Sequence, residues 1–412
     1  MINLAIIKAI RACNLRCPYC YYINEETENY GQVISEATLT SLYRHVSHYL
    51  EGKPGFGFVW HGGEPLLLGR RRFKRFLDLQ AQYFSSGQVA NVLQSNGTLI
   101  DREWVDFFQN NHVAVGISLD GTEKAHNKNR PSVAGKGSYK ETLEAIRLFQ
   151  DRGLPVYALS VVDGFADGYE TLQHFQEIGI NECDFLIPMT NNALQQIGDT
   201  NDYNTYTDFT AIGSFLTNAF RRWVENPKPE IKVRLFECLI KNAFGLEGGF
   251  LNAGSVNLSG YVVLETNGDI CLDTDFWQMD RYDLGKKYRL GCNVCDASFC
   301  LQNVEENINI IVKQQGLDQL PDACQPCKVR SICRGSHPAS RFGADGSFNH
   351  RSAYCEALFA LSAVILEHIV DTGFTENLYD GDLRATLSRD AVGSNNAQAS
   401  NRPLVRRERQ CQ

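Results

Sequence analysis

At 412 residues with a formal charge of −8, the chain is long enough for two or three packed units, and its acidic balance, with Lys and Arg scattered, argues against a nucleic-acid surface. Its 43% hydrophobic and 21% charged content describes a soluble globular protein, and no run approaches the roughly 20 apolar residues that a membrane helix needs. The 14 cysteines follow no secretory signal, so a cytoplasmic setting is expected, in which metal or cluster binding outranks disulfides.

Residues 3–7 predict a buried strand, which delivers the run Cys13-Asn14-Leu15-Arg16-Cys17-Pro18-Tyr19-Cys20 from its carboxyl end. Three soft thiolates on one short C-x3-C-x2-C loop can hold three irons of a 4Fe-4S cluster and leave the fourth iron open. A structural zinc loop is the alternative, but zinc needs a fourth ligand and none precedes His45. Ser35 then predicts a helix cap, with Leu39, Leu42, Val46 and Leu50 as the apolar stripe. Strands are expected at 56–60, 89–94, 113–119, 156–162 and 182–188. Helices are expected at 71–84, 102–108, from a Ser138/Glu141 capping box to about 151, and at 169–178, closed by Gly179. Six strands alternating with helices imply a parallel sheet with ligands at the carboxyl ends of its strands.

The cysteine loop, with an aromatic residue before its last Cys, resembles the radical S-adenosylmethionine (SAM) superfamily. That resemblance implies an α/β fold with a partial (β/α)6 barrel over residues 1–190, a SAM-binding 4Fe-4S cluster on Cys13, Cys17 and Cys20, and a 5′-deoxyadenosyl radical from SAM cleavage. His61-Gly62-Gly63-Glu64-Pro65 resembles the superfamily's GGEP element, so Gly62, Gly63 and Glu64 are expected at the SAM amino group. Gln94, Ser118 and Arg130 are expected at the ribose and carboxylate, and Tyr22 at the cofactor, where Tyr22 and Tyr19 shield the cluster from water. His126, placed in a loop with Arg130, is expected to fix that loop.

Residues 191–260 read as bridging helices, at about 206–224 and 233–244, behind a polar loop at 189–205; Cys238 falls on an apolar helix face and reads as core. Residues 261–264 and 270–272 flank Asn267-Gly268, a hairpin signal that puts Cys271 on its second strand. Cys292, Cys295, Cys300, Cys324-x2-Cys327-x5-Cys333 and Cys355 follow. This resembles the SPASM extension of peptide-modifying radical SAM enzymes, here over residues 261–370, with one or two auxiliary 4Fe-4S clusters. The resemblance implies one cluster on Cys324, Cys327, Cys333 and Cys355. Where the pattern wants its next cysteine the chain has His337. Either Cys271, Cys292, Cys295 and Cys300 close a second cluster, or His337 is a ligand, or no second cluster exists. A helix is expected at 358–369, and residues 371–412 read as a flexible tail with Cys411 unliganded.

The stretches Cys333-Arg-Gly-Ser-His337, Arg341-Phe342, Asn349-His350-Arg351-Ser352 and Tyr354-Cys355 resemble maturases that install cyclophane crosslinks in ribosomally made peptides. The function this implies is abstraction of a side-chain β-hydrogen from a precursor peptide, followed by carbon–carbon bonding to an aromatic ring. A proton is then lost to a base, for which Asp273 is the candidate and Asp275 the next. The implied partners are the precursor peptide and an electron donor such as flavodoxin or ferredoxin. No leader-binding domain is expected before Met1. Two alternatives stand: a sulfatase-type maturase that oxidises Cys or Ser to formylglycine, and a non-catalytic iron-sulfur or zinc scaffold.

Overall fold

A computed structural model of the protein describes residues 1–23, 29–51, 55–198, 207–226, 230–246, 258–276 and 289–373. The expected tail from residue 374 onward, Cys411 and residues 199–205 of the polar loop at 189–205 lie outside the described residues.

Strands β1 (Leu4–Ile10), β2 (Phe56–Gly62), β3 (Val89–Ser95), β4 (Val113–Ser118), β5 (Tyr157–Val161) and β6 (Glu182–Leu186) pair in parallel in chain order. Between them run α1 (Glu36–Tyr49), α2 (Gly69–Gln80), α3 (Arg102–Asn110), α4 (Glu123–Asn129), α5 (Tyr139–Gln150) and α6 (Gly168–Glu177). This is the partial, open α/β sheet that the alternating pattern implies. β1 is buried along nearly its whole length, as a parallel strand covered on both faces must be. Helices α1 and α3 start on side-chain caps, Ser35 accepting from Thr38 N at 2.9 Å and Asp101 from Trp104 N at 2.8 Å. Aromatic rings fill the layer between sheet and helices; Trp60 meets Phe73 edge-on at 5.0 Å, and Trp104 stacks on Phe108 at 5.3 Å.

Two local expectations fail. His126 lies within α4 rather than in a loop, and Ser138 makes no capping bond to α5. The Ser138 hydroxyl instead donates to Arg130 O at 2.6 Å and faces His126 Nε2 at 3.0 Å. A tertiary partner has outcompeted the local cap.

The sheet continues past the barrel on both sides. β7 (Lys232–Val233) pairs with β6, while β8 (Tyr261–Leu264) pairs in parallel with β1, from Leu4↔Tyr261 to Ile7↔Leu264. β9 (Asp269–Cys271) and β10 (Arg289–Asn293) add antiparallel strands to that edge, giving ten strands in the order β10-β9-β8-β1-β2-β3-β4-β5-β6-β7. The cysteine-bearing hairpin is thus part of the barrel's own sheet. The helix Phe209–Val224 packs between α6 and the helix Cys355–Asp371. Gly213 permits that second contact, since a Cβ there would lie 3.2 Å from Ala357 Cα. No helix among the described residues is long and apolar enough to cross a membrane.

Candidate active site

The first cysteine loop leaves β1 and is strapped to residues 131–133. Arg16 N donates to Pro131 O at 2.7 Å, and Val133 N to Asn14 O at 3.2 Å, so a short antiparallel bridge fixes its middle. Cys13 Sγ accepts from Leu15 N at 3.4 Å and lies 3.8 Å from Asn96 Nδ2; Cys20 Sγ accepts from Ile23 N at 3.5 Å. Such N–H groups suit a thiolate. Burial pushes the free thiols up, Cys13 to about 11 and Cys17 to about 12.

Gly62 and Gly63 lie against this loop's backbone. A Cβ on Gly63 would stand 1.9 Å from Ala12 O, and Gly63 N and Glu64 N donate to Ile10 O and Ala12 O, each at 2.8 Å. The close approach that demands glycine is therefore, in this structure, an approach to the cysteine loop. Glu64 is buried, and its carboxylate accepts from Leu66 N (3.0 Å), Ser95 Oγ (2.9 Å) and Asn96 N (2.8 Å). Burial, offset by those bonds, raises its carboxyl to about 7.

Two other expected residues meet: Gln94 Nε2 donates to Ser118 Oγ at 3.0 Å across the ends of β3 and β4. Arg130 is turned to a different partner. It is buried against Asp120, with Nη2 to Oδ1 at 3.0 Å and Nε to Oδ2 at 2.9 Å, beneath the Tyr19 ring. Tyr19 OH donates to the same carboxylate. His126 Nδ1 accepts from Asp120 N at 3.3 Å, which leaves the ring proton on Nε2 facing Ser138; burial holds the imidazole well below its ordinary range, hence neutral.

Tyr22 is buried at the seam between the cysteine loop and the hairpin. Its OH donates to Glu265 Oε2 at 3.1 Å, and Arg11 reaches the same oxygen at 3.4 Å while covering the ring. Arg11, Glu265, Cys271 and Cys292 line one cavity beside it. Cys295 and Cys300 do not join them. Cys295 is exposed with its sulfur 3.9 Å from Thr38 Oγ1 on α1, and Cys300 Sγ faces Gln302 Oε1 at 3.0 Å. The turn after β10 thus carries Cys295 toward α1.

Cys324, Cys327, Cys333 and Cys355 gather around one loop; burial raises the Cys324, Cys333 and Cys355 thiols, and the neighbouring sulfurs add to that rise. Arg341 organises that loop. Fully buried, its guanidinium donates to Gly335 O (2.8 Å), Gln319 O (2.8 Å), Arg334 O (3.1 Å) and Ser336 O (2.7 Å). Residues 334–336 are all left-handed, with φ of 54°, 75° and 65°. A turn that costly persists only where its surroundings over-determine it.

The turn delivers His337 to the end of β9. Its Nε2 lies 3.1 Å from Asp273 Oδ2 and its Nδ1 3.4 Å from Asp275 Oδ2. Asp273 also accepts from Tyr261 OH and from Asp275 N at 2.7 Å. Burial alone would raise Asp273, but the facing imidazole outweighs it and holds the carboxyl below the ordinary range. Burial likewise opposes the His337 cation, yet the two carboxylates raise its pKa. Nearby Lys8, buried in β1, donates to Tyr21 OH at 2.6 Å, and burial lowers it to about 8. Sequence reasoning missed Lys8, Asp120 and the part played by Arg341; a lone lysine inside an apolar strand was the one available signal.

The donor chemistry fits iron–sulfur groups at two places. Among the described residues, only Asp273, Asp275 and His337 form a trio with all ligand atoms within 4.8 Å of one another. The sulfurs of Cys13, Cys17 and Cys20 are spread wider than the roughly 3.8 Å that tetrahedral bonding of about 2.3 Å to one zinc would require. A larger cluster suits that spread.

Comparison with known proteins agrees. Residues 7–185 match the Radical SAM superfamily. The chain is 28% identical over 362 residues to a serine-type anaerobic sulfatase-maturating enzyme of Bacteroides thetaiotaomicron, covering 83% of this chain and 84% of the relative. A cysteine-type anaerobic sulfatase-maturating enzyme of Clostridium perfringens is 27% identical over 369 residues, covering 86% of this chain and 94% of its own. In fold, the chain resembles native anSMEcpe with bound AdoMet (TM-score 0.77, 24% identity, 90% of this chain and 99% of that one). It also resembles Streptococcus suis SuiB bound to its precursor peptide SuiA (TM-score 0.59, 14% identity, 86% and 76%).

Proposed function

Residues 7–185 being a radical SAM superfamily domain, we propose that this enzyme oxidises a side chain of a peptide by two electrons. One observation carries the reading. Asp273, a buried carboxylate held by Tyr261, His337 and a backbone N–H, stands two residues along the chain from Cys271, which lines a cavity together with Cys292. An oxidised carbon must shed a proton as well as an electron, and a fixed carboxylate two residues from a thiol of that cavity serves the first need.

When bound, the cofactors (SAM on a 4Fe-4S cluster, with one or two auxiliary 4Fe-4S clusters) supply a carbon radical and an electron acceptor. The chain's own residues do the rest. Cys13, Cys17 and Cys20 offer three ligands; Gly62 and Gly63 seat the loop; Gln94 and Ser118 present polar groups at adjoining strand ends. Tyr22 and the Arg11–Glu265 pair close the seam toward the hairpin cavity. Asp273 takes the proton. Tyr22, Gly62, Gly63, Glu64, Gln94, Ser118 and Arg130 are the proposed surroundings of SAM, Arg130 acting through Asp120. A precursor peptide, a one-electron donor of the flavodoxin or ferredoxin kind and a cytoplasmic setting complete the proposal.

The likeness to sulfatase-maturating enzymes along more than four-fifths of the chain favours oxidation of Cys or Ser to formylglycine. His337, standing where the SPASM pattern wants a cysteine, favours the second product, a cyclophane crosslink. Anaerobic co-expression with a candidate precursor peptide, read by mass spectrometry, tests both. An aldehyde at Cys or Ser supports the first, and loss of two hydrogens mapped to a carbon–carbon link supports the second. Peptides left unaltered while SAM is cleaved would refute the two together.

A further inference from the structure

His337 occupies a cysteine position, but its surroundings fit another task. We propose that His337 is not a cluster ligand but a positioning residue, which holds the Asp273 carboxylate where it receives the substrate's proton. The inference rests on the peptide-oxidation reading above.

Four observations carry it. First, both ring nitrogens face carboxylate oxygens, Nε2 that of Asp273 at 3.1 Å and Nδ1 that of Asp275 at 3.4 Å. An imidazole ligand must turn one nitrogen lone pair to the metal; here Nε2 is taken up by its hydrogen bond to Asp273, and Nδ1, though without a hydrogen bond, lies within ion-pair reach of Asp275. Second, the cavity lined by Cys271 and Cys292, where a centre short of thiols would seek another ligand, does not include His337 among its walls. Third, Cys324, Cys327, Cys333 and Cys355 already offer four thiols to the other centre, so no place is left there for a fifth donor. Fourth, the ring is fixed without metal. Arg341 sets the path of the preceding turn, Ser340 Oγ donates to His337 O at 2.6 Å, and Phe276 meets the imidazole at 6.2 Å between ring centres. Asp273 therefore has three donors, Tyr261 OH, Asp275 N and His337 Nε2, which together fix both its oxygens. Of these only His337 comes from beyond the hairpin, and it ties the carboxylate to the cysteine-rich loop.

The test compares His337→Ala, His337→Cys and His337→Gln in the iron-loaded, full-length enzyme. Iron per chain should match the wild type in all three, and pulsed EPR of the reduced wild type should show no imidazole nitrogen coupled to a cluster. With a peptide that the wild type oxidises, product per 5′-deoxyadenosine should fall about 10- to 100-fold in His337→Ala and His337→Cys. His337→Gln, which keeps an N–H donor at the reach of Nε2, should recover part of it. Iron lost from His337→Ala, imidazole coupling in the wild type, or a Gln variant as poor as the Ala variant would each overturn the inference. Should His337→Ala not fold, His337→Gln and His337→Cys give the same readouts. Iron and EPR need no peptide, so a wild type inert toward peptides sinks the proposed function, while imidazole bound to iron sinks this inference.

Discussion

The two cysteine loops hold their thiols by opposite means. The amino-terminal loop hangs between strand ends, where backbone hydrogen bonds to Pro131, Ile10 and Ala12 fix it and glycines clear its path. The loop through Cys333 has no strand beneath it and is wrapped around one buried guanidinium, that of Arg341. A sheet lends its geometry to a loop through the backbone, and the requirement is a missing Cβ. Where there is no sheet, a side chain must do the same work, and the requirement is a buried cation that donates to four backbone carbonyls.

The largest effects should separate the loops by chemistry. Cys17→Ala should abolish 5′-deoxyadenosine formation, whereas Cys327→Ala should leave SAM cleavage measurable while iron content and peptide oxidation fall. Chromatography of deoxyadenosine beside an iron count checks both, and SAM cleavage surviving in Cys17→Ala would defeat the assignment.

Changes to the supports come next. A Cβ at Gly63 would stand 1.9 Å from Ala12 O, so Gly63→Ala should destabilise by about 3 kcal/mol or more and shed iron from the amino-terminal loop. Arg341→Lys leaves buried carbonyls unpaired and should cost about 2–4 kcal/mol, with iron lost from the other loop. Urea unfolding with cluster-resolved EPR reads both, and loss from the same loop in the two variants would erase the contrast.

The smallest effect is a slope. Glu64 in the folded protein titrates near 7, above its ordinary 4.5, so folding favours the protonated form. That contribution is complete below about pH 4.5 and is lost as pH rises through about 7, a change on the order of 3 kcal/mol. Glu64→Gln, though less stable, should flatten that part of the curve when unfolding free energies are compared between about pH 5 and pH 8.

Much of the barrel was legible because its signals are local. Apolar runs marked the strands, Ser35 marked its helix, and the C-x3-C-x2-C spacing needs only eight adjacent residues. The failures are long-range. Ser138 has the cap pattern but spends its hydroxyl on Arg130 O and His126, twelve residues back in the ring's case. Where Cys295 points is likewise set by the fold, since the turn after β10 brings it to α1. Nothing in a one-dimensional reading says which of 40 Lys and Arg residues will be engulfed, so the importance of Arg341 emerges only with the fold. His337 drew notice as a departure from a pattern; its meeting with Asp273 spans 64 residues.

β1 is flanked by β2 on one side and by β8 on the other, from Leu4↔Tyr261 to Ile7↔Leu264. Severing the chain after the barrel would strip one rim of this strand, baring a row of unpaired amides and carbonyls along an apolar ribbon. Such an edge recruits other chains, so a truncated barrel should clump when expressed by itself. The halves are one folding partnership, and fragments are poor instruments for studying either centre.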